Sequence, residues 1–173
     1  MIFVFLKYKQ MKIMKTIILT LLTIITISCN GNAQKESKAT SKFEVTKTDA
    51  EWKKTLTPQE YAVLRKGATE KSFSSELNDV EEPGTFVCAA CAKELYRSEN
   101  KFDSGTGWPS FDRAIDGGVA YGSGNEPNEI HCARCGGHLG HLFDDGPRET
   151  TGKRHCINGV AMKFIPDAPK KEK

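Results

Sequence analysis

Four cysteines constrain this chain more than anything else in it. They form two tight pairs, Cys88/Cys91 and Cys132/Cys135, separated by a long interval. Each C-x-x-C puts two thiolates on one turn, and Gly136-Gly137 after the second pair gives the backbone freedom for such a knuckle. Two knuckles facing each other make a tetrahedral four-thiolate site, the geometry that zinc prefers in closed structural sites. The interval from Cys91 to Cys132 is longer than the usual zinc-ribbon spacing, so it encloses a real piece of the domain. Two redox dithiols or two disulfides are the competing readings, and an exported protein permits both. Two pairs in one small domain favour the metal.

The chain has 173 residues, 38% of them hydrophobic, which is room for one ordinary domain with one core. Thr48 with Glu51 and Thr57 with Glu60 both have capping-box spacing, and Pro58 stands where a first-turn proline is tolerated. Leu56 and Tyr61 are spaced for a hydrophobic staple, and Gly67 is placed to end the second helix in a left-handed conformation. Beyond Gly67 the pattern changes to short β-like runs between glycine, proline and asparagine turns. These are Thr85-Phe86-Val87, Glu94-Leu95-Tyr96, Val119-Ala120-Tyr121 and Ala161-Met162-Lys163-Phe164. The expectation is a small, mainly β, mostly antiparallel domain behind two short N-terminal helices, stapled by a structural zinc.

Residues 1–29 read as a signal peptide. A lysine-rich start (Lys7, Lys9, Lys12, Lys15) precedes the apolar run Thr16 to Ser28, which is shorter than the ~20 residues of a spanning helix. Ile25-Thr26-Ile27-Ser28-Cys29 resembles a bacterial lipoprotein processing site, so a lipid on Cys29 is expected to hold the protein at a membrane. Thr26 departs from the usual larger aliphatic residue. Ordinary cleavage after Ala33 and an uncleaved anchor stay open, and Met1, Met11 and Met14 are all available starts. Either way the chain is expected to be exported, to the periplasm or a membrane surface of a bacterium. Residues 30–45 are polar and read as a tether, 46–168 as the domain, and 169–173 as a frayed tail. Of 25 basic residues four lie in the leader, which leaves 21 against 22 acidic ones. That near-neutral balance has no basic stripe, so no nucleic-acid partner is expected.

Cys156 is the one cysteine of the exported region with no cysteine nearby. It lies in Arg154-His155-Cys156-Ile157-Asn158, with a fixed cation two residues before it and a carboxamide two residues after. A thiol must become a thiolate before it attacks, and a neighbouring positive charge favours that form. A buried, inert cysteine is the bland alternative. Upstream, His138-Leu139-Gly140-His141 brings two imidazoles close together, ahead of Asp144-Asp145-Gly146-Pro147. Imidazole titrates near neutral pH and is a common proton donor to a leaving oxygen. Alone, such a pair reads more readily as structural or metal-binding. With four thiolates already serving a metal, the catalytic reading gains. Gly105-Thr106-Gly107-Trp108-Pro109-Ser110-Phe111 is a glycine-framed turn that presents a large aromatic.

Taken together, these stretches resemble the B-type peptide-methionine sulfoxide reductases, which act on the (R) epimer at sulfur. The resemblance covers about Thr48 to Phe164. It rests on Leu56-Thr57-Pro58-Gln59-Glu60-Tyr61, Thr69-Glu70, Glu82-Pro83-Gly84-Thr85, both knuckles, Phe102-Asp103-Ser104-Gly105 and the motifs just described. It implies two small antiparallel sheets, with the catalytic cysteine on a strand and one structural zinc per chain, held by Cys88, Cys91, Cys132 and Cys135 on the far side. It also implies that Cys156 attacks the sulfoxide sulfur and passes through a sulfenic acid. His138 and His141 would protonate the oxygen, Asp145 would orient them or a water, and Arg154 and Asn158 would stabilise the thiolate. Trp108, Phe111 and Glu70 would bind substrate. The implied partners are oxidised proteins or peptides and a thioredoxin-like reductant, and the implied state is a monomer.

The chain departs from one common form of that family at Thr106, where many members carry a second, resolving cysteine. An external thiol is therefore expected to attack the sulfenic acid directly. Two other classes remain at this level. A zinc-stapled binding module would leave Cys156 slow towards thiol reagents. A thiol–disulfide oxidoreductase would use one C-x-x-C as its redox couple and hold no zinc.

Overall fold

The computed structural model describes residues 43–122 and 126–169. The signal-peptide and lipid expectations, most of the tether and the tail beyond Pro169 lie outside the described residues. Among the described residues, no helix is long and apolar enough to cross a membrane.

Two short helices open the domain, α1 (Asp49–Thr55) and α2 (Pro58–Lys66). Both start with a complete capping box. The Thr48 and Thr57 side chains accept from the N–H of Glu51 and Glu60, whose carboxylates accept in return from the capping N–H groups. Gly67 closes α2 with φ +68°, its N–H reaching the Val63 carbonyl at 3.1 Å. The helices bury Trp52, Leu56, Val63 and Leu64. Burying a large apolar side chain of this kind contributes about 1.5–3 kcal/mol, which is what fixes helices too short to be stable alone.

Nine strands follow among the described residues: β1 (Gly84–Cys88), β2 (Glu94–Arg97), β3 (Lys101–Phe102), β4 (Ser110–Phe111), β5 (Val119–Tyr121), β6 (Glu129–Cys132), β7 (His138–Phe143), β8 (Arg154–Ile157) and β9 (Met162–Pro166). They form two antiparallel sheets, one ordered β2-β1-β9 and the other β3-β4-β8-β7-β6-β5. This is the mainly β, two-sheet architecture expected. Aromatic rings bridge the two sheets. Phe111 of β4 stacks on Tyr96 of β2 with centroids 4.2 Å apart and meets Phe86 of β1 edge-on at 5.0 Å. Leu95, Ile130, Leu139 and Ile157 complete the centre of the core.

The two C-x-x-C pairs form the same turn. The N–H of Ala92 bonds to the Cys88 carbonyl at 2.8 Å, and that of Gly136 to the Cys132 carbonyl at 2.9 Å. Both residues have positive φ, +57° at Ala92 and +66° at Gly136. Glycine adopts that conformation freely, whereas alanine is strained in it by about 1–2 kcal/mol. A side chain at Gly136 would also collide with the Phe43 ring. Phe43 belongs to a strap, residues 43–45, along the second knuckle. Val45 donates to the Arg134 carbonyl at 3.0 Å, and Arg134 donates to Glu44 and to the Cys91 carbonyl. Residues 43–45, inside the span read as tether, thus pack against the second knuckle.

Candidate active site

Strand register decides which side chains meet. Ser110 of β4 pairs with Cys156 of β8, and Cys156 pairs with His141 of β7, which pairs with Glu129 of β6. Opposed residues project to the same face of a sheet, so four adjacent strands present Ser110, Cys156, His141 and Glu129 in one row. Arg154 and Phe143 pair in the neighbouring row. The other face carries Phe111, Ile130 and Ile157 into the core.

His138 and His141 are three apart, and three is odd. On a regular strand they would point to opposite faces. An irregularity between Ile130 and His131 resolves this: Ile130 pairs with Gly140 but His131 pairs with His138, so Leu139 has no partner on β6. That bulge sends Leu139 into the core and brings both histidines to the Cys156 face, their ring centroids 5.3 Å apart. Gly140 is required beside them, because a side chain there would run into the Cys156 carbonyl.

A cavity of about 150 Å³ opens over Cys156, walled by Trp108, Phe143 and His141, with Thr69 and Asn158 at its edge. It is sized for one side chain rather than an extended ligand. Burial pushes the Cys156 thiol above its ordinary pKa, against the opposing pull of the Arg154 charge and of hydrogen bonds from Thr106 and Arg154. The adjacent cation acts as the sequence suggests, but burial outweighs it, so the resting group is a thiol. Thr106, in the turn before β4, lowers the Cys156 thiol against that burial and begins a hydroxyl chain. Thr106 Oγ1 to Ser104 Oγ is 2.8 Å, and Ser104 Oγ to Ser110 Oγ is 2.8 Å.

Several expected site residues are placed differently from their assigned roles. Asp145, expected to orient the histidines or a water, accepts hydrogen bonds from Arg154. It forms a two-pronged ion pair with Arg154, Nε to Oδ1 at 2.8 Å and Nη2 to Oδ2 at 2.9 Å, because Arg154 lies opposite the end of β7. Arg154 is thereby held over the Phe143 ring, 4.5 Å from its centroid. Asn158 touches the cavity but spends both polar atoms on the scaffold, accepting from the Glu70 N–H and donating to the Leu139 carbonyl, each at 2.9 Å. Glu70 is buried and turned away from the cavity. Its carboxylate accepts from the N–H groups of Gly159 (2.6 Å) and Val160 (2.9 Å), and its carbonyl accepts from Trp108 Nε1 at 3.2 Å. Glu70 therefore fixes the walls of the site without lining it. Phe111 is wholly buried in the core, since its neighbour Ser110 takes the cavity side of β4. Phe143, Thr69 and Glu129 belong to this region and were not singled out by role in the sequence. The strand register reveals Phe143 and Glu129, and the cavity lining reveals Thr69.

The four knuckle sulfurs lie within 4.8 Å of one another, with Cys88 to Cys135 at 3.8 Å and Cys91 to Cys132 at 3.5 Å. Four ligands about 2.3 Å from a tetrahedral zinc would be separated by about 3.8 Å. Four thiols this close cannot all ionise unaided. Hydrogen bonding with Cys132 pushes Cys88 and Cys135 far up, while Cys132 is driven down. A divalent cation removes that conflict, so the residues fit a metal. Among the described residues no disulfide is formed.

The SelR domain family matches residues 56–166. The chain is 48% identical over 127 residues to the peptide methionine sulfoxide reductase MsrB of Leptospira interrogans, covering 70% of this chain and 96% of that protein. It is 44% identical over 130 residues to that of Leifsonia xyli (72% and 94%) and 48% identical over 127 residues to that of Methanosarcina barkeri (69% and 87%). The SelR match spans both knuckles, the bulged histidine pair and the Cys156 strand, and on it and these identities the chain belongs to the MsrB family of peptide methionine sulfoxide reductases.

Proposed function

We propose that this chain reduces methionine (R)-sulfoxide in oxidised proteins and peptides to methionine, through a sulfenic acid on Cys156 that an external thiol resolves. The observation that carries the reading is the pairing of Cys156 with His141 on neighbouring strands under a small aromatic-walled cavity. In the reaction the Cys156 thiolate attacks the sulfoxide sulfur, an imidazole protonates the oxygen, and the oxygen ends on Cys156. The substrate sulfur gains two electrons and Cys156 loses two, which leaves methionine and a sulfenic acid. One external thiol then displaces water to form a mixed disulfide, and a second frees Cys156. Trp108 and Phe143 suit the methyl group of the substrate, an apolar contact available to one epimer at a time. Arg154, fixed by Asp145, is the cation that favours the thiolate once substrate is seated.

The absence of a cysteine at position 106 supports direct resolution, since a threonine hydroxyl forms no disulfide. In this reading Cys88, Cys91, Cys132 and Cys135 hold one structural zinc, whose chemistry is that of a staple rather than a catalyst. One copy of the chain supplies every side chain of the site. The leader would carry the domain out of the cytoplasm, with a lipid on Cys29 and a thioredoxin-like donor outside. The test is turnover of a peptide containing racemic methionine sulfoxide with an added dithiol. Only the (R) epimer is consumed, and Cys156→Ser abolishes it. Equal consumption of the (S) epimer, or activity in Cys156→Ser, overturns the reading.

A further inference from the structure

Glu129 has no role in the chemistry just described, yet it makes the shortest polar contact on the Cys156 face. Its Oε1 lies 2.6 Å from His138 Nδ1, and its side chain and that of His138 are both largely buried. Its other oxygen faces His131 Nε2 at 3.5 Å. Burial raises the Glu129 carboxyl, but the hydrogen bond to His138 and the facing histidines outweigh it, so the group stays below its ordinary pKa. His138 Nε2, on the opposite edge of the ring, is buried and is the one such side-chain atom among the described residues with no hydrogen-bond partner. A buried imidazole nitrogen without a partner costs free energy and calls for an explanation. Register supplies one, because Glu129, His141 and Cys156 share a row and the bulge sets His138 beside it.

We propose that Glu129 is a positioning residue of the reaction: it accepts Nδ1–H of His138, fixes the ring, and leaves Nε2 as the edge that hands a proton to the sulfoxide oxygen. The proposal rests on the methionine sulfoxide reading above. As the bond from Cys156 sulfur to substrate sulfur forms, the oxygen takes the Nε2 proton. The substrate S–O bond and the newly formed S–S bond then both break as the protonated oxygen passes to the Cys156 sulfur, giving methionine and the sulfenic acid. His138 is left neutral and is reprotonated by solvent, and Glu129 remains a carboxylate throughout. A buried carboxylate behind an imidazole fixes its tautomer, the arrangement that also orients metal-bound histidines. The other titratable or charged groups near the pair are His131 on β6, Glu126 just before it, His141 on β7, and Arg154 and Cys156 on β8.

The test compares wild type with Glu129→Gln, which keeps the size and an acceptor oxygen but removes the charge. Zinc content and thermal midpoint are measured first, then kcat and KM for an (R)-sulfoxide peptide across pH. The variant should lose kcat by about 10- to 100-fold with KM unchanged. Wild-type kcat in a folded, zinc-loaded Glu129→Gln would overturn the proposal. A second measurement needs no variant. Nitrogen-15 spectra of the wild-type histidine rings should show His138 protonated at Nδ1 whenever it is neutral, and the opposite tautomer overturns the proposal. Wild type that turns over no methionine sulfoxide removes the functional reading and this proposal together, and the same spectrum separates that failure from a misassigned pair.

Discussion

His155 is the neighbour of the nucleophile but points the other way, into the core, where its Nδ1 meets the Tyr96 hydroxyl at 3.2 Å and Tyr121 packs edge-on against its ring. Burial lowers its pKa from 6.5 to about 4, with only a small opposing pull from Asp112. In the unfolded chain the same ring titrates near its ordinary value. Between pH 6.5 and about 4 the unfolded state therefore takes up a proton that the folded state refuses. Stability is complete above pH 6.5 and falls as pH drops through that window, by about 1.4 kcal/mol per unit, or ~3 kcal/mol in all. Replacing His155 by Phe keeps the ring and removes the titration. It leaves the Tyr96 hydroxyl unpaired, a pH-independent cost of about 1–3 kcal/mol. Urea unfolding of both proteins, followed by circular dichroism from pH 7.5 to 4.5, should show the variant less stable at pH 7.5 and the gap closing as the solution is acidified. Both proteins carry the same knuckle thiols, so acid effects on the metal cancel in the difference. Parallel stability curves would refute the argument that His155 is buried in its neutral form.

Cys91→Ser should lose stoichiometric zinc and melt well below wild type, because apparent binding energies of ~10 kcal/mol or more become folding energy in such sites. Full zinc and an unchanged melting temperature, read by metal analysis and calorimetry, would remove the four-thiolate assignment. Thr106→Cys should convert the oxidised resting product from a sulfenic acid to a disulfide with Cys156, provided the two sulfurs approach within bonding geometry. Non-reducing peptide mapping would show it, and a variant that still accumulates only sulfenic acid would mean that the 105–107 turn holds the two sulfurs apart.

Local chemistry was legible and long-range register was not. Both capping boxes, the left-handed Gly67 and the two knuckles appear in the structure as the spacing suggests, because each is decided within a few consecutive residues. Strands β3 and β4 have two residues each, too few for any period to declare itself. The bulge at Leu139 was equally hidden, although it is what allows a histidine pair three residues apart to serve one face. Phe111 and Glu70 looked like substrate contacts by their place in motifs. In the fold the first fills the core and the second ties Trp108, Asn158 and the Gly159–Ala161 turn together. The resemblance gives Asp145 the role of orienting the histidines or a water, and in the fold its carboxylate pairs with Arg154 of β8. Glu129 sits in no recognisable motif, and only the β6–β7 pairing reveals it.

The central claim is that Cys156 alone carries the oxidised intermediate. Adding one equivalent of an (R)-sulfoxide peptide to zinc-loaded protein without reductant, in the presence of dimedone, tests it most directly by intact-mass and peptide analysis. The account predicts one methionine released per chain, one dimedone adduct located on Cys156, and zinc retained on the four knuckle cysteines. A product lighter by two hydrogens, with no adduct and with zinc released, would show a knuckle cysteine resolving Cys156 and would contradict the account.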